Sequence, residues 1–166
     1  TTRVLLPRDC FDEGVDVLAA TMAGLRPGDP REPGTICGPV ISARQRERIE
    51  DHLASARADG GSFACGGGRP ADRDRGFFVE PTLVVGVGND ARIAREEVFG
   101  PVLVALPHDG DDDAVRIAND SPYGLSGGVW SADQERAKAV ARQIRTGQIE
   151  VNGGAFNPNA PFGFSF

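Results

Sequence analysis

Apolar residues fall along this chain at two spacings, and the alternation between them predicts short strands separated by amphipathic helices. Residues 2–6 form a β-branched and apolar run that Pro7 stops, which predicts a strand. Asp9 is placed to cap a helix in which Val15, Leu18, Met22 and Leu25 recur at helical spacing, ending between Gly24 and Gly28. Residues 26–38 are rich in Pro and Gly and read as a loop. Ser42 and Gln45 have the spacing of a capping box, in which the serine oxygen meets an orphan backbone N–H and the glutamine reaches back. Ile49, Leu53 and Ala56 give the following helix its apolar stripe, and Gly60-Gly61 ends it. Its other face carries Arg44, Arg46, Glu47, Arg48, Glu50 and Asp51 and is expected to be solvated.

Further along, residues 62–68 read as a strand running into glycine, and residues 77–85 as a second strand. Pro81 denies that strand one ladder donor, so an edge position or a bulge is expected. Residues 101–106 predict another strand. The acidic run from Asp109 to Asp113 then precedes a helix, where carboxylates are favoured by the dipole without any metal. Residues 125–130 predict a strand, 132–144 a helix and 148–151 a strand. The alternation predicts an α/β fold with a mostly parallel sheet and flanking helices.

Composition adds bounds. The 166 residues, 40% hydrophobic and 25% charged, suit a single globular domain spanning 1–166, with no internal repeat or linker. The net charge of −6 repels phosphate backbones and anionic membrane surfaces, so neither nucleic acid nor membrane is an expected partner. No apolar run approaches the ~20 residues of a spanning helix, and the first residues lack a signal peptide's apolar core. A cytoplasmic location is expected.

Generic chemical motifs are sparse. Gly66-Gly67-Gly68 lacks both the Gly-Lys-Ser/Thr of a phosphate loop and the GxGxxG spacing, and reads as a surface turn. Cys10, Cys37 and Cys65 are odd in number and widely spaced, which argues against a disulfide framework, and none has a base nearby in sequence. His52 and His108, far apart, form no recognisable metal set and read as surface or partly buried residues.

Three segments change this reading. They are Glu96-Glu97-Val98-Phe99-Gly100-Pro101-Val102, Asn119-Asp120-Ser121-Pro122-Tyr123-Gly124-Leu125-Ser126-Gly127-Gly128-Val129-Trp130, and Gly147-Gln148-Ile149-Glu150-Val151-Asn152-Gly153. In this order they closely resemble the aldehyde dehydrogenase superfamily. Thr1-Thr2-Arg3-Val4-Leu5 resembles the strand after the family's catalytic cysteine. Gly38-Pro39, Gly76-Phe77-Phe78, Glu80-Pro81-Thr82 and Pro161-Phe162-Gly163 also fall at matching places, so the likeness covers essentially the whole chain.

The resemblance implies NAD(P)-dependent oxidation of an aldehyde to an acid through a cysteine thiohemiacetal and thioester. It places the nucleophilic cysteine before Thr1, and the general-base glutamate and most of the dinucleotide-binding half further upstream. No catalytic residue is therefore expected within the chain, and the isolated chain is expected to be inactive. Glu97 is similar to the family's holder of the nicotinamide ribose, and Phe99 to the aromatic beside the nicotinamide. On residue type alone, Glu97 reads as a turn residue and Phe99 as core. Gln45 and Arg48 resemble a glutamine and a lysine near the adenosine ribose, although arginine and lysine are not interchangeable. A solvated helix face is the other reading of that pair.

Phe156 and Phe162 resemble aromatics that line the aldehyde tunnel, with core packing as the alternative. Asn152 resembles an asparagine that steadies the active-site loops. Phe164-Ser165-Phe166 departs from the family pattern. The implied partners are an aldehyde, the remainder of the dehydrogenase or an identical subunit, and a homo-oligomer in the intact protein. A scaffold relative without catalysis, and an acylating or semialdehyde dehydrogenase, are the other functions the residues leave open.

Overall fold

A computed structural model describes residues 3–154 of the chain. Its most apolar strands, β3 (Thr82–Val85) and β4 (Val102–His108), bury almost every successive residue. Leu83, Val84, Val104 and Ala105 are fully enclosed. Strands buried on both faces belong in the middle of a sheet covered on both sides. They are the central pair of a four-stranded sheet of order β1-β4-β3-β2, with β1 (Arg3–Pro7) and β2 (Ser62–Cys65) as its edges. β3 runs parallel to β4, Thr82 opposite Val102, and β2 runs antiparallel to β3 with an irregular step between Phe63 and Cys65.

Helix α1 (Phe11–Ala23) packs against β1, β2 and β3. Its stripe of Val15, Leu18 and Met22 is half-buried and turned inward. Helix α2 (Ala43–Ala58) packs against the short α3 (Arg92–Arg95), which lies on the crossover between β3 and β4. Residues up to Pro107 make one compact unit, and those from His108 onward make another. The second unit contains α4 (Asp111–Asn119), β5 (Ser126–Val129), α5 (Gln134–Ala141) and β6 (Gln148–Val151). There β5 and β6 are parallel, and α5 covers them with the buried Ala137 and Ala141. Arg136 on α5 forks onto the Asp111 carboxylate at the start of α4, at 2.8 and 2.7 Å. The fold is α/β with parallel pairing prevailing, as the pattern predicts. No described helix is long and apolar enough to cross a membrane.

Several local expectations are corrected. Asp9 caps nothing: it sits in a 3-10 turn, and the residue at the head of α1 is Cys10, whose side chain makes no cap bond. Only half of the capping box forms. Ser42 accepts from the Gln45 backbone N–H at 3.2 Å, while the Gln45 side chain turns elsewhere. Pro81 marks neither an edge nor a bulge within its own strand. It stands just before β3, which is central, and the irregular step lies across in β2. Residues 77–80 instead bond to loops, Phe77 accepting from the Val40 N–H and Glu80 donating to Gly68. Both histidines are buried: His52 has no exposed surface, and His108 is 9% exposed with Nδ1 3.0 Å from the Gly110 carbonyl. The three cysteines are free thiols.

Leu83 is fully enclosed between layers that cannot close around a void. Leu83→Ala is expected to destabilise the full-length protein by about 2–5 kcal/mol, read from the shift of its urea unfolding midpoint.

Candidate cofactor-facing site

The site grows from one face of α2. Gln45, Arg48, Ile49 and His52 fall at i, i+3, i+4 and i+7, so they share that face over successive turns. It meets the segment that links α3 to β4. At its first turn, the Gln45 side-chain amide donates to the carbonyls of both Val98 and Phe99, each at 3.0 Å. One turn on, an Arg48 guanidinium N–H donates to the Glu97 carbonyl at 2.8 Å. Ile49 lies fully buried against Gly100, where an added Cβ would stand 2.5 Å from the Ile49 Cδ1. A side chain at position 100 would therefore make the Ile49 side chain give way.

The last turn of this face is electrostatic. His52 Nε2 lies 3.8 Å from the Glu96 carboxylate, too far for a hydrogen bond, and neither ring nitrogen has a hydrogen-bonding partner. Arg92 bridges the two elements, donating to Asp51 on α2 at 2.8 Å and to Glu96 at 3.2 Å. The Arg92 hydrogen bond lowers the pKa of the Asp51 carboxyl.

Clamped this way, the segment sorts its side chains. Val98 is buried at 1% exposure, whereas Glu97 and Phe99 face solvent. Phe99 takes φ of +55°, in the left-handed region that costs an ordinary residue about 1–2 kcal/mol. Such a conformation persists where its surroundings over-determine it. Here those surroundings are the Gln45 amide on its carbonyl, Val98 anchored inside, and Gly100 pinned under Ile49. The outcome is a phenyl ring 71% exposed beside a carboxylate, Glu97, whose side chain makes no hydrogen bond or ion pair among the described residues.

Hydrogen bonds from Gln45 and Arg48 to the 97–99 backbone bring these four residues together, whereas the resemblance sets Glu97 and Phe99 at the nicotinamide end and Gln45 and Arg48 near the adenosine ribose. The predicted solvated face of α2 is only partly so, because Arg46 lies over the Phe77 ring at 5.6 Å and donates to the Gly76 carbonyl. Phe156 and Phe162 lie outside the described residues. Asn152 takes φ of +52° and its side-chain oxygen accepts the Ser131 N–H at 2.9 Å, tying the end of β6 to the turn after β5. Sequence reasoning missed His52 as a member of the site. Its position seven residues after Gln45, within the Ile49–Leu53–Ala56 stripe, is the signal that could have found it. No group of three or more metal-ligating side chains occurs among the described residues.

The donor set fits one end of a dinucleotide. An unpaired carboxylate can accept from both hydroxyls of a ribose, and an exposed aromatic can cover a flat pyridine ring. The sequence profile of the aldehyde dehydrogenase family matches residues 1–163. Geranial dehydrogenase of Castellaniella defragrans is 43% identical over 162 residues, covering 98% of this chain and 34% of that protein. A 3-succinoylsemialdehyde-pyridine dehydrogenase of a Pseudomonas species is 42% identical over 163 residues, with the same coverage. Among solved structures, an aldehyde dehydrogenase of Mycobacterium tuberculosis complexed with NAD+ superimposes with a TM-score of 0.93 at 44% identity, over 99% of this chain and 34% of that one. The chain belongs to the aldehyde dehydrogenase family. It spans about a third of the length of these relatives.

Two outcomes follow from this geometry. Because the Phe99 ring is mostly exposed and its backbone left-handed, Phe99→Gly is expected to be about 1 kcal/mol more stable than Phe99→Ala, measured by chemical denaturation of the two variants. For His52, burial and then the neighbouring Arg92 push the pKa below its ordinary value, with Arg48 acting in the same sense and Glu96 and Asp51 opposing. The folded state then binds fewer protons than the unfolded one, so stability is complete above about pH 6.5 and falls as the pH drops below it. Unfolding midpoints at pH 7.5 and pH 5.5 should differ in that direction, and His52→Phe should reduce the difference.

Proposed function

We propose that this chain is the part of an NAD(P)-dependent aldehyde dehydrogenase that holds the nicotinamide end of the cofactor against the reacting aldehyde. The observation that carries the reading is the exposed, unpaired Glu97 beside the left-handed, exposed Phe99 in a chain of this family. Glu97 accepts from the two ribose hydroxyls and fixes the rotation of the sugar. Phe99 covers one face of the nicotinamide ring and keeps water from it. Gln45 and Arg48, on the neighbouring helix face, serve the adenosine ribose, Arg48 through guanidinium donors beyond the one on Glu97. When bound, NAD or NADP supplies the acceptor for the hydride that leaves the aldehyde.

In this reading the thiolate nucleophile and the general-base glutamate come from polypeptide outside the chain. The exposed Tyr123, Leu125 and Trp130 are covered by the remainder of the enzyme or an identical subunit. The names of the two relatives, one a geranial dehydrogenase and the other a semialdehyde dehydrogenase, support an aldehyde substrate. The complex of the Mycobacterium tuberculosis enzyme with NAD+ supports NAD.

The test is Glu97→Gln in the full-length protein. Hydrogen bonds to a charged group contribute about 1.5–3 kcal/mol, so calorimetry should find NAD+ bound roughly 10–100-fold more weakly. Unchanged NAD+ affinity, or a full-length protein that reduces no NAD+ with a straight-chain aldehyde, would overturn the reading.

A further inference from the structure

We propose that Gln45 is a positioning residue: its amide holds Phe99 in the left-handed conformation and so sets the angle at which Glu97 and Phe99 meet the nicotinamide end of the cofactor. This rests on the function proposed above.

A primary amide nitrogen carries two hydrogens, and Gln45 directs them at two successive carbonyls, those of Val98 and Phe99, at equal distances of 3.0 Å. Successive carbonyls of an extended strand point to opposite sides. Here both converge on one donor, at the residue whose φ is +55°. The bonds go to backbone, so they fix the path of the segment whatever side chains it carries. Gln45 itself is held by the first turn of α2, where its backbone N–H donates to the Ser42 Oγ at 3.2 Å. Serine cap, glutamine amide and Phe99 carbonyl therefore form one chain of contacts from the helix start to the cofactor-facing ring. Arg48 repeats the device one turn later on the Glu97 carbonyl. Glu97 and Phe99 thus each have the backbone carbonyl gripped from α2, and their side chains stay exposed.

Gln45→Glu and Gln45→Met both keep the length of the side chain and remove its donors, so they separate hydrogen bonding from packing. In the full-length apoprotein, hydrogen exchange of a peptide covering residues 96–101 is expected to speed up at least 10-fold in both variants, with peptides from β3 and β4 unchanged. At saturating NAD+ and a straight-chain aldehyde, the single-turnover rate of NADH formation should fall at least 10-fold, while the Kd for NAD+ changes less than about 3-fold.

Unchanged exchange in both variants overturns the proposal. So does a rate loss that excess NAD+ fully restores, because that pattern belongs to a direct contact between Gln45 and the cofactor. If the unaltered full-length protein forms no NADH, the functional reading fails on its own, and the exchange experiment still decides whether Gln45 holds the segment.

Discussion

The contact between Ile49 and Gly100 governs where everything else in the site can be. Gly100 leaves the Ile49 side chain room to pack directly over the loop backbone, and the enclosed Ile49 fills that space with apolar atoms. Once that contact is made, α2 runs along residues 96–100 at a fixed height, and its polar side chains have one set of partners within reach. Gln45 finds two carbonyls, Arg48 a third, and Arg92 returns from α3 to Asp51. Apolar packing sets the distance and hydrogen bonds set the path.

This order of causes explains how a flexible-looking linker presents a rigid pair of side chains. Val98 is driven inward by its own hydrophobicity, and its neighbours on either side are left outside. A phenylalanine in a free loop would lie down on the nearest apolar surface and take an ordinary φ. Here the backbone is held from behind, so the ring is denied both. Desolvated, unpartnered His52 beneath the same helix adds a polar group that the fold tolerates without stabilising it.

Much of the architecture was legible because it depends on local spacing. The near-continuous apolar run of β4, the Ser42 cap and the acidic start of α4 each declare themselves within a few residues. What escaped depends on partners distant in the chain. Gln45 fitted a local capping box, and the carbonyls it bonds instead lie 53 and 54 residues away. Pro81 argued for an edge by the rule of lost donors, yet it sits one residue outside the ladder, where no donor was owed. The left-handed backbone at Phe99 has no signal in residue type, since phenylalanine is poorly suited to it. Glu97 and Phe99 were singled out only by resemblance through an ordered set of motifs, and the structure explains why those two stand free.

The strand order has a further consequence for how the chain is made. β1 lies beside β4, its partner about a hundred residues later in the sequence. At typical synthesis rates of about 5–20 residues per second, β1 waits roughly 5–20 s for that partner. β3 also lacks its parallel neighbour until β4 emerges, although it can already pair with β2. One seven-residue strand therefore completes two rows of hydrogen bonds at once. Once β3 has emerged and while β4 is still inside the ribosome, the nascent chain carries a hairpin-like pair on one side, an unclaimed strand on the other, and the apolar middle of the sheet open to chaperones.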